Sequence, residues 1–304
     1  MLWFYVTIIS YLLFAVGNIF DRYILKGPLQ HPRSYAFYIG ASGIFAVFLI
    51  PFANFRVPPV STIVLAVFAG SAVIVALYYL FRGIYEGNVS TQVPMVGAFA
   101  PVFTLFFGFI FAGERVEPST RGFLALFFLI LGIIFLSIRL KSHELHFTKK
   151  HVLYALLAGM FFGLGFVLTK MVYELEEFLN GYIWTTVGGV IMAFIFFFMP
   201  GTKEILFKES PITKKTLWLP LLGGKAIGTL GNVAQNYAIS IAAFGQLAFI
   251  SALAGVQHLG ILIIAVFLYL TKPELLEETF TKRSLSIRLL GIIFIGAGIY
   301  LLMT

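Results

Sequence analysis

Cysteine is absent from this 304-residue chain, and charge is scarce: 11% of residues are charged while 60% are hydrophobic. Without thiols there is no disulfide framework, no thiolate metal site and no cysteine nucleophile. So little charge excludes a soluble globular or disordered chain, in which about 25% of residues are charged. A mean hydropathy of +0.97 belongs to a chain whose main solvent is lipid. The thirteen carboxylates all fall at the ends of apolar runs or between them, which argues against a sodium site built from buried acids. Catalytic patterns are missing as well. There is no G-x-S-x-G elbow and no phosphate-cradling Gly-Lys-Ser loop, and His143-Glu144-Leu145-His146 lacks the H-E-x-x-H spacing that puts two ligands on one helical face. The expectation is a protein that is not an enzyme and holds no metal or cofactor.

Ten apolar runs are present, each of about the length that crosses a ~30 Å hydrocarbon core at ~1.5 Å per residue. They cover Leu2–Phe20, Tyr35–Ala53, Ser61–Phe81, Thr91–Ala112, Gly122–Ile138, Val152–Thr169, Gly181–Met199, Leu217–Ser240, Gln246–Leu270 and Leu285–Met303. None alternates with the ~10-residue period of a membrane β-barrel. The N-terminus has no basic leader region or small-residue cleavage site and reads as a retained first helix. The net charge of +8 is spread through short connections, so the basic residues act as topology determinants rather than a nucleic-acid surface.

The two halves of the chain echo one another. A shift of 148 places Gly17 on Gly165 and Arg22 on Lys170, and one of 149 places Pro51 on Pro200. A shift of 158 places Gly70 on Gly228, Tyr79 on Tyr237 and Gly87 on Gly245, and one of 166 places Gly132 on Gly298. Five spans per copy is an odd number, so the second copy enters the membrane upside down. The expected fold is an all-α polytopic membrane protein of ten transmembrane helices in two inverted five-helix repeats. Residues 1–140 form the first, 141–150 the connecting loop and 151–304 the second. Inverted repeats are characteristic of secondary transporters, with the substrate site near the midplane between the halves.

Lys and Arg fall unevenly on the two faces. The odd-numbered loops (1–2, 3–4, 5–6, 7–8 and 9–10) carry sixteen, from Arg22, Lys26 and Arg33 to Lys282, Arg283 and Arg288. The even-numbered loops carry four: Arg56, Arg115, Arg121 and Lys170. Taken alone, this places the odd loops in the cytoplasm and both termini outside.

The eighth span is the most polar. Lys225, Thr229, Asn232 and Asn236 follow at i, i+4, i+7 and i+11, within about 60° of arc on one helical face. Such a face avoids hydrocarbon, and an ammonium at that depth costs about 2.5–3.5 kcal/mol, which an anionic or zwitterionic solute, or freed backbone carbonyls, would offset. Gly224 and Gly228 beside it have the GxxxG spacing of close helix packing. In the ninth span Gln257 shares a face with Gln246, and His258 is the one histidine inside a span, a group able to couple proton movement or simply to bond a neighbour. Asn18 joins Tyr11 and Arg22 on one face of the first span. The shift of 158 sets Tyr78 opposite Asn236, either flanking a substrate or marking an interface. Pro94 and Pro101, seven apart on the fourth span, free backbone carbonyls in a wall that is either pliable or statically packed.

The Gly17-Asn18-Ile19-Phe20 segment ending the first span, the Pro-rich fourth span closing with Phe111-Ala-Gly-Glu-Arg-Val116, and Ala125 and Gly132 after it carry a resemblance. Over nearly its whole length the chain resembles the EamA type of the drug/metabolite transporter superfamily. The second copy departs from the pattern, having Lys272-Pro273-Glu274 where Gly-Glu-Arg would stand. The resemblance implies a solute carrier, often an exporter of amino acids or other metabolites, with both termini in the cytoplasm, opposite to the charge count. The expected protein is a multi-pass carrier of the inner or plasma membrane, monomer or homodimer. Its partners are a small-molecule substrate and the lipid bilayer, with no nucleic acid. The expected cargo is a small anionic or zwitterionic metabolite held by Lys225, Thr229, Asn232, Asn236, Gln257, His258, Asn18 and Tyr78, with Pro94 and Pro101 in gating and no cofactor other than protons. The alternatives are an exporter of amphipathic drugs or lipid-linked head groups and, further off, a membrane-embedded enzyme.

Overall fold

The computed structural model describes residues 1–25, 31–86, 89–113, 119–137, 149–208, 218–271 and 282–303. Within these helices, the side chains of 18–25, 89–91, 94, 136–137, 207–208, 218–222, 225, 265–266, 268–271 and 282–285 are not described. All regular structure among the described residues is helical. Seven helical stretches are long and apolar enough to cross a membrane, and Leu2–Gly17 and Thr120–Phe135 are shorter apolar helices. The architecture is that of an all-helical, multi-pass membrane protein.

Among the described residues the apolar runs are helical but for Ala53, Met199 and Leu253. The elements are α1 (Leu2–Leu25), α2 (Pro32–Ser42), α3 (Val60–Glu86), α4 (Val89–Ala112), α5 (Thr120–Ser137), α6 (Lys149–Leu175), α7 (Phe178–Phe198), α8 (Thr202–Lys208), α9 (Trp218–Ile241), α10 (Leu247–Ala252), α11 (Ala254–Thr271) and α12 (Lys282–Met303). Helix starts follow ordinary capping chemistry. His31 Nδ1 accepts from the Arg33 amide (3.3 Å) with Pro32 in the first turn, and Ser119 Oγ accepts from the Gly122 amide (3.2 Å).

Two spans are not single α-helices. After α2 the second continues as a 3₁₀ segment, Gly43–Phe52, which contains Pro51 and turns Phe45, Phe48 and Phe52 outward. Proline has no N–H to continue an α-helical ladder there. The ninth span begins with a 3₁₀ turn, Phe244–Gln246, then α10, and breaks at Leu253 before α11. Gln246, expected on a face with Gln257, is spent at the first of these turns, where its Oε1 accepts from the Ala243 amide (2.9 Å).

Glycines set the helix crossings. Gly17 of α1 lies at ordinary contact distance (3.6–3.8 Å) from Gly228 and the Gly224 carbonyl, whereas a Cβ on Gly228 would meet open space, so glycine is not required at 228 by this crossing. Gly70 of α3 faces the Thr185 carbonyl and Gly188 of α7 faces Val67, leaving no room for a side chain at either. One crossing is reciprocal. A Cβ on Gly132 of α5 would lie 3.0 Å from the Gly291 carbonyl, and one on Gly298 of α12 would lie 3.0 Å from the Ala125 carbonyl. Each residue in the second pair is its counterpart in the first moved by 166, and the pairing order makes the two helices antiparallel. Gly40 of α2 lies against the carbonyl of Gly189 of α7, its counterpart at a shift of 149, while a Cβ on Gly189 would face Ile74 and Gly70 of α3.

The main core gathers α1, α5, α6, α9, α10 and α12 around Leu129, Leu247, Ile250, Leu253 and Ile295. A second cluster joins α2, α3 and α7 around Tyr35, Ile74, Phe81 and Phe196.

Candidate functional site

The polar face of α9 is bonded to its neighbours at the end where α6 and α9 finish and α7 begins. Tyr173 of α6 donates its hydroxyl to Asn236 Oδ1 (2.9 Å), and Tyr182 of α7 donates to Asn232 Oδ1 (3.0 Å). Asn236 Nδ2 donates back along its own helix to the Asn232 carbonyl (2.9 Å) and to Asn232 Oδ1 (3.3 Å). Both tyrosines are buried and the asparagines half-buried. Four polar groups that would each cost free energy alone in an apolar interior thus satisfy one another.

Just beyond this network lies Lys170, which the hydropathy profile assigns to a loop. It is 4% exposed, because α6 continues to Leu175 and carries the lysine into the bundle. Its Nζ donates to the Ser240 carbonyl at the end of α9 (3.0 Å) and pairs with Glu174 Oε1 (2.7 Å). A helix C-terminus is a favourable place for a cation, since its last carbonyls lack intrahelical donors. The same end is clasped by the segment before α3. Arg56 Nε bonds buried Glu176 Oε2 (3.0 Å), Asn180 Nδ2 donates to the same oxygen (2.7 Å), and Trp184 Nε1 donates to the Arg56 carbonyl (3.2 Å). Alongside, a groove of about 350 Å³ runs between Phe111, Ala112, Met171, Glu174, Leu175 and Phe244.

Of the residues singled out in sequence, the structure brings Asn232 and Asn236 together with Tyr173 and Tyr182, which sequence reasoning did not pick. The partners stand 50 and 63 residues away in the chain, so no local pattern announces them. Thr229 is exposed. Tyr78 accepts from Arg82 Nη1 one turn along α3 (2.8 Å) and packs against Phe196 (5.3 Å between centroids), an interface position. His258 and Pro101 belong to one locality. Pro101 is buried in α4 and has no N–H for the Gly97 carbonyl, while a Cβ built on Gly97 would lie 3.5 Å from His258 Nε2. Gln257 is half-buried. Lys225, Asn18 and Pro94 lie in α9, α1 and α4, but their side chains fall outside those described. Among the described residues no cluster of three metal-ligating side chains occurs.

No family model matches the chain, and no curated protein does. Solved structures do: a crystal structure described only as that of a protein superposes with a TM-score of 0.67 over 97% of this chain and 94% of its own, at 14% identity. At that identity the likeness concerns the fold alone.

Proposed function

We propose that the chain is a secondary, alternating-access transporter of a small organic metabolite, an EamA-type member of the drug/metabolite transporter superfamily with ten spans in two inverted repeats. The observation that carries the proposal is the reciprocal packing of α5 with α12. A residue and its counterpart at the repeat shift touch each other's partners, as a two-fold relation between halves requires, and two-fold halves are the frame on which transporters rock. The pairing of α1 with α9 and of α3 with α6 agrees, each joining a first-half helix to a second-half one in antiparallel order.

Within that frame the polar face of α9 is the candidate solute contact. Lys225 is the electrostatic anchor, with Asn232, Asn236, Thr229, Gln257 and Asn18 as hydrogen-bonding groups, His258 as the site of proton coupling, and export as the direction. The chain reconstituted in proteoliposomes should take up labelled amino acids or related metabolites by counterflow, and Lys225→Ala should abolish that uptake. Unchanged uptake and affinity in Lys225→Ala sinks the assignment. The groove beside Phe111 and Phe244 supports a second reading, an amphipathic cargo entering from the lipid side. Competition of counterflow by hydrophobic amines rather than by amino acids would favour it.

A further inference from the structure

Asn232 and Asn236 present acceptors to the other helices. Asn236 Nδ2 is occupied by the backbone and side chain of Asn232, which fixes the amide so that Oδ1 is what α6 meets. Asn232 Oδ1 in turn faces Tyr182. Two acceptors one helical turn apart are therefore filled by two hydroxyl donors that come from other helices. A phenol is a donor with a modest hold: an interhelical hydrogen bond in a membrane averages well below the full cost of an unmade one.

The first half of the chain provides a contrast. At a shift of 158, Tyr78 stands for Asn236 and Arg82 for Ser240. There Arg82 bonds Tyr78 and Glu86 within α3 and lies over the Tyr154 ring of α6 (5.6 Å to its centre), while Tyr154 and His151 of α6 bond the Glu86 carboxylate and carbonyl. Both ends are tied from helix to helix, but by different chemistry: a charged set around Glu86 at the odd-loop end, and phenol hydroxyls on amide oxygens at the even-loop end. A phenol-to-amide bond is the kind that a solute's own N–H or O–H donor can replace like for like.

We propose that Tyr173 and Tyr182 are internal stand-ins for the solute: when the even-loop end opens, donors on the solute replace their hydroxyls on Asn236 and Asn232. This makes the two asparagines the site for the ammonium or hydroxyl end of a small amino or hydroxy solute, and it rests on the transport reading for the opening itself. Amide oxygens repel a carboxylate, so a zwitterion binds with its ammonium here.

The chain lacks cysteine, so a single reporter can be placed without removing any native thiol. Thr169 is buried one turn before Tyr173. In proteoliposomes, Thr169→Cys should react slowly with a membrane-impermeant maleimide, and adding Tyr173→Phe and Tyr182→Phe should speed the reaction roughly tenfold by unlocking the mouth. Ethanolamine, which brings two donor groups and no carboxylate, should slow labelling in that background. Acetate and tetramethylammonium should not, and the ethanolamine effect should vanish with Asn232→Leu and Asn236→Leu. Tyr173→Phe alone serves if the double variant folds poorly. An unchanged rate after Tyr→Phe, no protection by ethanolamine, or equal protection by acetate overturns the proposal. Labelling needs no flux, so a chain that is protected yet carries no solute loses the transporter reading and keeps the site, and flux without protection does the reverse.

Discussion

Tyr182 on α7 donates its hydroxyl to Asn232 on α9 across 3.0 Å, so the polar face of the least lipid-like span is tied to a helix 50 residues away in sequence. Both groups lie in a helical bundle where the alternative to this bond is an unsatisfied group or a new partner. Double-mutant cycles in membrane proteins put such bonds at about 0.6 kcal/mol on average, with a ceiling near ~1.7 kcal/mol. Tyr182→Phe and Asn232→Leu should each lower the unfolding free energy, and the pair together should cost less than the sum by about that coupling. Reversible unfolding in mixed micelles measures it, and additive costs would mean that the bond is not formed.

The close crossing of α3 and α7 yields a sharper contrast. A Cβ on Gly70 would run into the Thr185 carbonyl and the Gly189 amide nitrogen, backbone atoms that cannot turn aside. Gly70→Ala therefore forces the seam apart and should cost about 1–3 kcal/mol, the range for overpacking. Gly223 in α9 has nothing within 4 Å of a built Cβ, so Gly223→Ala should stay within about 0.5 kcal/mol of the parent or gain from better helix propensity. Midpoints of thermal unfolding for the two variants in the same detergent test the ordering.

The membrane class and the apolar helices that carry it were legible in sequence, because hydropathy over ~20 residues is a local property and the bilayer enforces it, whereas the short helix α8 falls in what read as a connection. The GxxxG spacing of Gly224 and Gly228 was less telling, because a Cβ on Gly228 would meet open space. Lys170 was misplaced for an instructive reason. A hydropathy run stops at the first charge, whereas α6 continues past it because the lysine finds the Ser240 carbonyl and Glu174. The break at Leu253, whose side chain is fully buried, lies outside what a hydropathy window sees, and so does the 3₁₀ form of the segment before Ala53, although Pro51 stands in it. Neither tyrosine partner of the α9 amides could be chosen, because all fourteen tyrosines look alike until the helices that carry them are paired.

His258 and Pro101 give a third test. Proline at 101 leaves the Gly97 carbonyl without its helical donor, and the imidazole of His258 lies beside Gly97. Pro101→Ala returns an N–H to that carbonyl. If the histidine serves the freed group, His258→Ala should destabilise the parent and cost measurably less in the Pro101→Ala background, a coupling of roughly 0.5–2 kcal/mol. The same variants separate packing from proton coupling. Flux that depends on a pH gradient in the parent and no longer does so in His258→Ala assigns the proton to this imidazole, and a dependence that survives removes it.

Orientation in the membrane is the last matter the charges decide. The even-loop side has four basic residues against sixteen on the other; burial removes Lys170 from the four and Arg288 from the sixteen and leaves the imbalance in place. Cations that reach the headgroups are what the positive-inside rule counts, and by that rule alone the odd loops would lie in the cytoplasm. A phosphatase reporter that is active only outside the cytoplasm, fused after Thr304, should therefore be active, and one fused in the Arg139–Thr148 connection should be silent. The opposite result would put both termini in the cytoplasm, as the family resemblance implies, and would show that something other than short-loop lysine and arginine orients this chain. Moving basic residues from the connection between the fifth and sixth spans to the N-terminus would then leave the reporter unchanged, whereas under the charge rule it should invert it.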